Sequence, residues 1–149
     1  MINDNKFEVL IKLSQIDDVV FVGGTSEFIQ GIKKELNDID ISIKEISFLK
    51  NFGYVHKNFD DSFYGLSGQR GFIPLNSVLI DIFIDEKPQY KIFNGFKCQT
   101  LQSMISLREN TLVFNSHKLS ERSKTKIDSN LQRLKLYELN NIQSANWQL

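Results

Sequence analysis

Val19-Val20-Phe21-Val22 runs directly into Gly23-Gly24-Thr25-Ser26, and after a gap the chain reads Asn37-Asp38-Ile39-Asp40-Ile41-Ser42-Ile43. The first run is apolar and partly β-branched and stops at glycine, as a buried strand does. The four residues after it form a turn that opens a helix. In the third piece isoleucine alternates with a polar residue, which is the period of a strand with one polar face. Asp38 and Asp40 therefore point the same way. Two carboxylates so placed repel each other unless a cation lies between them. Oxygen ligands of this kind suit Mg²⁺ or Mn²⁺.

Two adjacent glycines let backbone approach a ligand closely. The N–H groups that follow stand at a helix N-terminus and favour a phosphate, and Thr25 or Ser26 can add a hydroxyl. A phosphate cradle next to a two-carboxylate strand points to metal-assisted attack on a nucleotide phosphate. The same residues also fit a plain turn followed by two solvated aspartates on an edge strand.

Gly-Gly-Thr-Ser and Asp38-Ile39-Asp40, with 13 residues between Gly24 and Asp38, resemble the nucleotidyltransferase superfamily that includes DNA polymerase beta. The closest likeness is to its minimal branch, the aminoglycoside and lincosamide nucleotidyltransferases and the AbiEii-type toxins. Gly31, Lys33 and Lys34 fall where that branch has a glycine and a basic stretch. The resemblance implies an α/β (α+β) nucleotidyltransferase fold, a small mixed twisted sheet with helices mainly on one face. It also implies a third carboxylate on a later strand.

Val78 to Asp85 supplies candidates for that carboxylate: Val-Leu-Ile-Asp-Ile-Phe-Ile-Asp. Asp81 interrupts an apolar run, and a buried carboxylate without a partner is costly. A metal shared with Asp38 and Asp40 would remove that cost. Asp85 lies on the same face but beside Glu86, Lys87 and Pro88, where solvent accounts for it. Asp81 is the preferred ligand and Asp85 its rival.

At 149 residues the chain fits one domain, with the helices from about residue 100 as its helical part. Lys and Arg number 18, as do Asp and Glu, so the formal net charge is zero. That weighs against broad electrostatic binding to nucleic acid. A lone cysteine, Cys98, excludes an internal disulfide and fits a reducing, cytoplasmic setting. No apolar run approaches membrane-spanning length.

Along the chain, Asn3 or Asp4 is expected to cap a first helix with Phe7, Leu10, Ile11 and Ser14 on one face and Leu13 at its margin. The second helix spans about Thr25 to Gln30, with Gly31 closing it. Ile46 to Phe52 suggests a short helix ended by Gly53, and Tyr54 to Lys57 a strand. Asn58 to Ser62 reads as a turn and Phe63 to Leu66 as a short strand. Ser67-Gly68-Gln69-Arg70-Gly71 reads as a loop, in which Arg70 is either a phosphate contact or solvated. Asn94-Gly95 between apolar runs predicts a hairpin. Thr100 precedes a helix carrying Leu101, Met104 and Ile105, and Asn115 to Lys118 reads as loop. Ser120 or Ser123 starts a last helix with Ile127, Leu131 and Leu134, and the tail is polar from Asn140 until Trp147.

Within that last helix Lys126 matches the lysine of the minimal branch, whereas Ile127 and Asn130 replace two of its acidic positions. The resemblance implies transfer of a nucleoside monophosphate from a nucleoside triphosphate, ATP among them, to an acceptor hydroxyl. Two Mg²⁺ (or Mn²⁺) ions on Asp38, Asp40 and Asp81 would assist. Gly23, Gly24, Thr25 and Ser26 would hold phosphates and Lys126 would neutralise their charge. The acceptor is open between a small molecule, a tRNA and a protein. A homo-oligomer or an antitoxin-like partner fits the branch. Two other readings stand: a non-catalytic module that binds a nucleotide or a partner on the same scaffold, and a toxin component that modifies tRNA or protein.

Overall fold

In a computed structural model of the chain, the backbone is described for residues 2–47, 49–57, 69–75, 78–84 and 88–147. Expectations for Asn58 to Leu66, for Ser67 and Gly68, and for Asp85 fall outside these residues. The described chain forms two compact units. Residues up to Thr100 make the first, and Leu101 opens the helical stretch of the second.

The first unit is a mixed α/β layer. Its helices are α1 (Ile2–Ser14) and α2 (Gly23–Ile29); its strands are β1 (Val20–Phe21), β2 (Ile39–Ile43), β3 (Val55–Lys57), β4 (Gln69–Pro74), β5 (Leu79–Ile84), β6 (Tyr90–Phe93) and β7 (Phe96–Gln99). The sheet runs β3-β4-β5-β2-β1-β7-β6. β2 lies parallel to β5 and β1 to β7, while the other neighbours are antiparallel. Period-2 alternation decides the faces. Val19, Phe21, Ile39, Ile41, Ile43, Ile80, Ile82, Ile84 and Cys98 point to one side and join Leu10 and Leu13 of α1 in a single buried cluster, with Ile29 of α2 packed against it. Asp40 and Asp81 alternate with these residues and face the other side.

Two expectations change. The first helix starts at Ile2, so Asn3 and Asp4 lie inside it. Its buried stripe is Leu10 and Leu13, while Ile11 is 54% exposed. Phe7 is half-exposed and meets Phe28 of α2, ring centroids 6.0 Å apart. The helix is rotated toward the sheet by one residue relative to the sequence pattern. The second correction concerns Arg70, which belongs to strand β4 and not to a loop. Its register partners are Lys57 on β3 and Phe83 on β5. Gly71, which suggested a loop, is tolerated in the strand because the end of the Tyr54 ring fills the space where its side chain would be. The polar tail from Asn140 is part of a helix that runs to Trp147.

The hairpin at Asn94-Gly95 forms as expected, with φ of 52° and 86°, the left-handed pair a two-residue turn requires. Gly31 follows α2 at φ 79°, closing it in the left-handed conformation that glycine adopts freely.

The second unit contains α3 (Leu101–Phe114) and α4 (Glu121–Trp147), which pack on each other. Met104, Ile105, Ile127, Leu131 and Leu134 are buried. The Ser120 hydroxyl accepts the Ser123 N–H at 3.1 Å and caps α4. No helix among the described residues is long and apolar enough to cross a membrane.

Candidate active site

Strand register builds the site. β2 and β5 run parallel with Asp40 directly opposite Asp81. Asp40 belongs to the polar face of an alternating strand and Asp81 interrupts an apolar run, and pairing of the two strands brings them side by side. Burial, the Asp81 charge and the Asp38 charge, in that order, push the Asp40 carboxyl up to about 7, against the opposing pull of Arg70 and Lys33. Burial also raises Asp81; Arg70 opposes that rise, Asp38 adds to it, and a hydrogen bond from the Asp40 side chain opposes it again. Crowded carboxylates in a partly desolvated place hold protons that a cation would replace.

Asp38 precedes β2 and is exposed. It acts on the pair through charge. Among the described residues, no three His, Cys, Asp or Glu side chains stand close enough together to hold a metal ion as they are placed. In chemistry the donor set suits Mg²⁺: carboxylate oxygens only, with an excess of negative charge.

The glycine turn lies against the same carboxylates. A side chain at Gly23 or at Gly24 would bring its Cβ to 3.6 Å from Asp40 Oδ2, and at Gly24 also to 3.3 Å from Lys33 Nζ. The backbone between β1 and α2 thus passes close to Asp40 with Lys33 reaching in beside it. Only the basic stretch before β2 hinted at Lys33 in the sequence. Gly23 itself takes φ 51°.

The hydroxyls expected to reach phosphate have partners inside the fold. Thr25 is fully buried; its Oγ1 accepts the Asp40 N–H at 2.7 Å and donates to the Asp38 carbonyl at 3.3 Å. Ser26, equally buried, donates to the Gln99 carbonyl at 2.6 Å and accepts from Gln30 Nε2 at 2.8 Å. Thr25 therefore fastens α2 to the aspartate strand, and Ser26 fastens it to β7.

Arg70 flanks the pair. A guanidinium nitrogen lies 4.0 Å from Asp81 Oδ1, and the group stacks over the Phe83 ring at 5.0 Å from its centroid. Cys98 is fully buried and its thiol is pushed up to about 12 by burial, which removes it as a nucleophile. Lys126, the remaining candidate, is exposed on α4 of the second unit.

No family model and no curated protein matches the chain. Solved structures do resemble it. JHP933 from Helicobacter pylori superposes with a TM-score of 0.50 at 14% identity, covering 85% of this chain and 62% of that one. The chain thus spans less than two thirds of the length of JHP933. ANT(2")-Ia in complex with adenylyl-2"-tobramycin gives a TM-score of 0.45 at 13% identity, over 93% of this chain and 97% of that one. TM1012 from Thermotoga maritima, provisionally a nucleotidyltransferase, gives 0.45 at 19% identity, over 98% and 96%. At such identities the likeness to JHP933 is one of fold, and the two at 0.45 decide nothing about chemistry.

Proposed function

We propose that this chain transfers a nucleoside monophosphate from a nucleoside triphosphate to an acceptor hydroxyl. The observation that carries the reading is Asp40 opposite Asp81, with Gly24 and Lys33 against Asp40. In this reading Asp38, Asp40 and Asp81, drawn closer together than they now stand, would hold Mg²⁺, which would neutralise phosphate charge and make a hydroxyl more acidic.

The chain's own groups then have the following work. Bare backbone at Gly23 and Gly24 would leave room for the β- and γ-phosphates, and the amides of Gly24 and Thr25, at the start of α2, would donate to them. Thr25 and Ser26 hold that turn in place from inside. Lys33 takes up triphosphate charge. Asp81 accepts the acceptor's proton, a role its raised pKa favours. The acceptor oxygen bonds to the α-phosphorus while the bond from that phosphorus to the β-bridging oxygen breaks, and pyrophosphate leaves. Lys126 is retained as a charge-neutralising residue on the resemblance alone. Lys126→Gln should weaken triphosphate binding and, because Lys126 is exposed, leave the unfolding midpoint unchanged.

The test incubates the protein with Mg²⁺, each α-labelled nucleoside triphosphate in turn, and a cell extract. Label transferred to RNA, protein or a small molecule, and absent with Asp40→Asn, supports the reading and identifies the acceptor class. Triphosphate binding with no transfer to any fraction would replace it with the binding-module reading. Absence of both would end it.

A further inference from the structure

The glycine turn is clamped from two sides. From β2, the Asp40 carbonyl accepts the Val22 N–H at 3.0 Å, and Thr25 closes on the strand backbone. From the other side three hydrogen bonds converge on one residue, Gln99. Its side-chain Oε1 accepts the Gly23 N–H at 3.1 Å. Its carbonyl accepts both the Ser26 hydroxyl at 2.6 Å and Gln30 Nε2 at 2.8 Å. Gln99 is 4% exposed. It is the last residue of β7, and the parallel pairing of Phe21 with Cys98 brings it abreast of the turn.

We propose that Gln99 is the positioning residue of the phosphate-binding turn: its side-chain oxygen holds the Gly23 N–H and thereby aims the amides that follow. The inference rests on the triphosphate reading above and adds to it a residue 76 positions away in sequence. The reason is conformational. Gly23 has the left-handed φ of 51°, and glycine there is free to adopt several backbone states. Nothing in its own side chain chooses among them. An acceptor fixed at the end of a strand does, because the Gly23 N–H has no intrahelical partner at the start of α2. With the peptide plane before Gly23 held, the direction of the Gly24 N–H follows from Gly23's backbone angles. A buried amide oxygen is suited to this, since it accepts a hydrogen bond without placing a charge beside Asp40.

Two measurements on the full chain test it. Amide hydrogen exchange, followed by NMR on ¹⁵N-labelled protein, reads the clamp. Titration with inorganic tripolyphosphate plus Mg²⁺ reads its consequence. Gln99→Met keeps the length and removes the oxygen, while leaving the main-chain carbonyl. It should speed Gly23 exchange roughly tenfold while Ile41 and Ile82 stay protected, and weaken tripolyphosphate binding about three- to tenfold, the scale of one hydrogen bond. Gln99→Glu retains an oxygen at the same reach and should keep Gly23 protected. Should the Met variant fail to fold, Gln99→Asn, one methylene too short to reach, takes its place with the same expectations. Unchanged Gly23 exchange and unchanged tripolyphosphate affinity in the variant, with wild type binding normally, would overturn the role of Gln99 alone. Wild type that fails to bind tripolyphosphate with Mg²⁺ would overturn the triphosphate reading, and the positioning role with it.

Discussion

Asp40 carries the sharpest consequence at the scale of single residues. Its carboxyl sits at about 7 in the fold against an ordinary 3.8. A folded value raised above the unfolded one means the folded state binds the proton more tightly. The associated stability is fully present below the unfolded value and is lost as pH rises through about 7. Metal-free wild type should therefore lose stability between pH 5 and pH 8, and Asp40→Asn, neutral at both, should lose less. Urea midpoints in EDTA at the two pH values check this; equal pH dependence in the two proteins would count against the crowded pair. Mg²⁺ should raise the wild-type midpoint at pH 8 and leave that of the Asn variant nearly unchanged. Thr25 gives a second residue-level expectation. Thr25→Val removes the hydrogen bonds to Asp38 and Asp40 and leaves the half-buried Asp40 N–H without its acceptor, a loss of about 1–3 kcal/mol in urea unfolding. What was legible here was charge out of place: an aspartate within an apolar strand announces itself. A hydroxyl does not, because Thr25 and Ser26 can serve a ligand or the backbone equally well, and only the tertiary partners distinguish the two. Gln99 gave no signal at all, since its role exists only once β7 lies against β1.

At the scale of elements, alternation made β2 and β5 readable and glycine made β4 unreadable. Isoleucine at every second position assigns both the strand and its buried face, and the register Ile41 opposite Ile82 then places the carboxylates. Around Arg70 the local signal was two glycines, which favour a loop. Pairing of β4 with neighbours on both sides, and the Tyr54 ring over Gly71, outweigh that preference. α1 shows a milder version of the same effect. Its apolar residues extend beyond one stripe, and packing against the sheet, not the pattern, selected Leu10 and Leu13. The isoleucine layer sets an expectation for stability. Ile82 is fully buried between β4 and β2, so Ile82→Ala should cost about 2–5 kcal/mol by chemical denaturation. A cost under 1 kcal/mol would mean that the layer is far looser than its burial shows.

For the whole molecule the zero net charge conceals a division. Residues 1–100 hold 11 Lys and Arg against 14 Asp and Glu, and residues 101–149 hold seven against four. The balance is therefore −3 in the part that carries the carboxylates and +3 in the helical part. Some of the positive charge in the latter is already matched, as Lys124 pairs with Glu121 at 3.1 Å and Lys135 with Glu109 at 3.5 Å. Sequence-independent affinity for nucleic acid scales with the number of phosphates neutralised, and each contributes about −0.7 to the slope of log K against log salt on a single strand. With one phosphate neutralised for each of the three charges in excess, that slope is about −2, and affinity for an arbitrary single-stranded RNA at physiological salt should be correspondingly weak. Fluorescence anisotropy on a labelled RNA of mixed sequence, titrated from low to moderate salt, measures the slope directly. A value of about −2 or shallower means that an RNA acceptor, if label transfer identifies one, is chosen by contacts to its end and not by its backbone. A slope of about −5 or steeper would require seven or more basic side chains on one face, which is the whole complement of residues 101–149 acting together. The acceptor search would then begin with RNA.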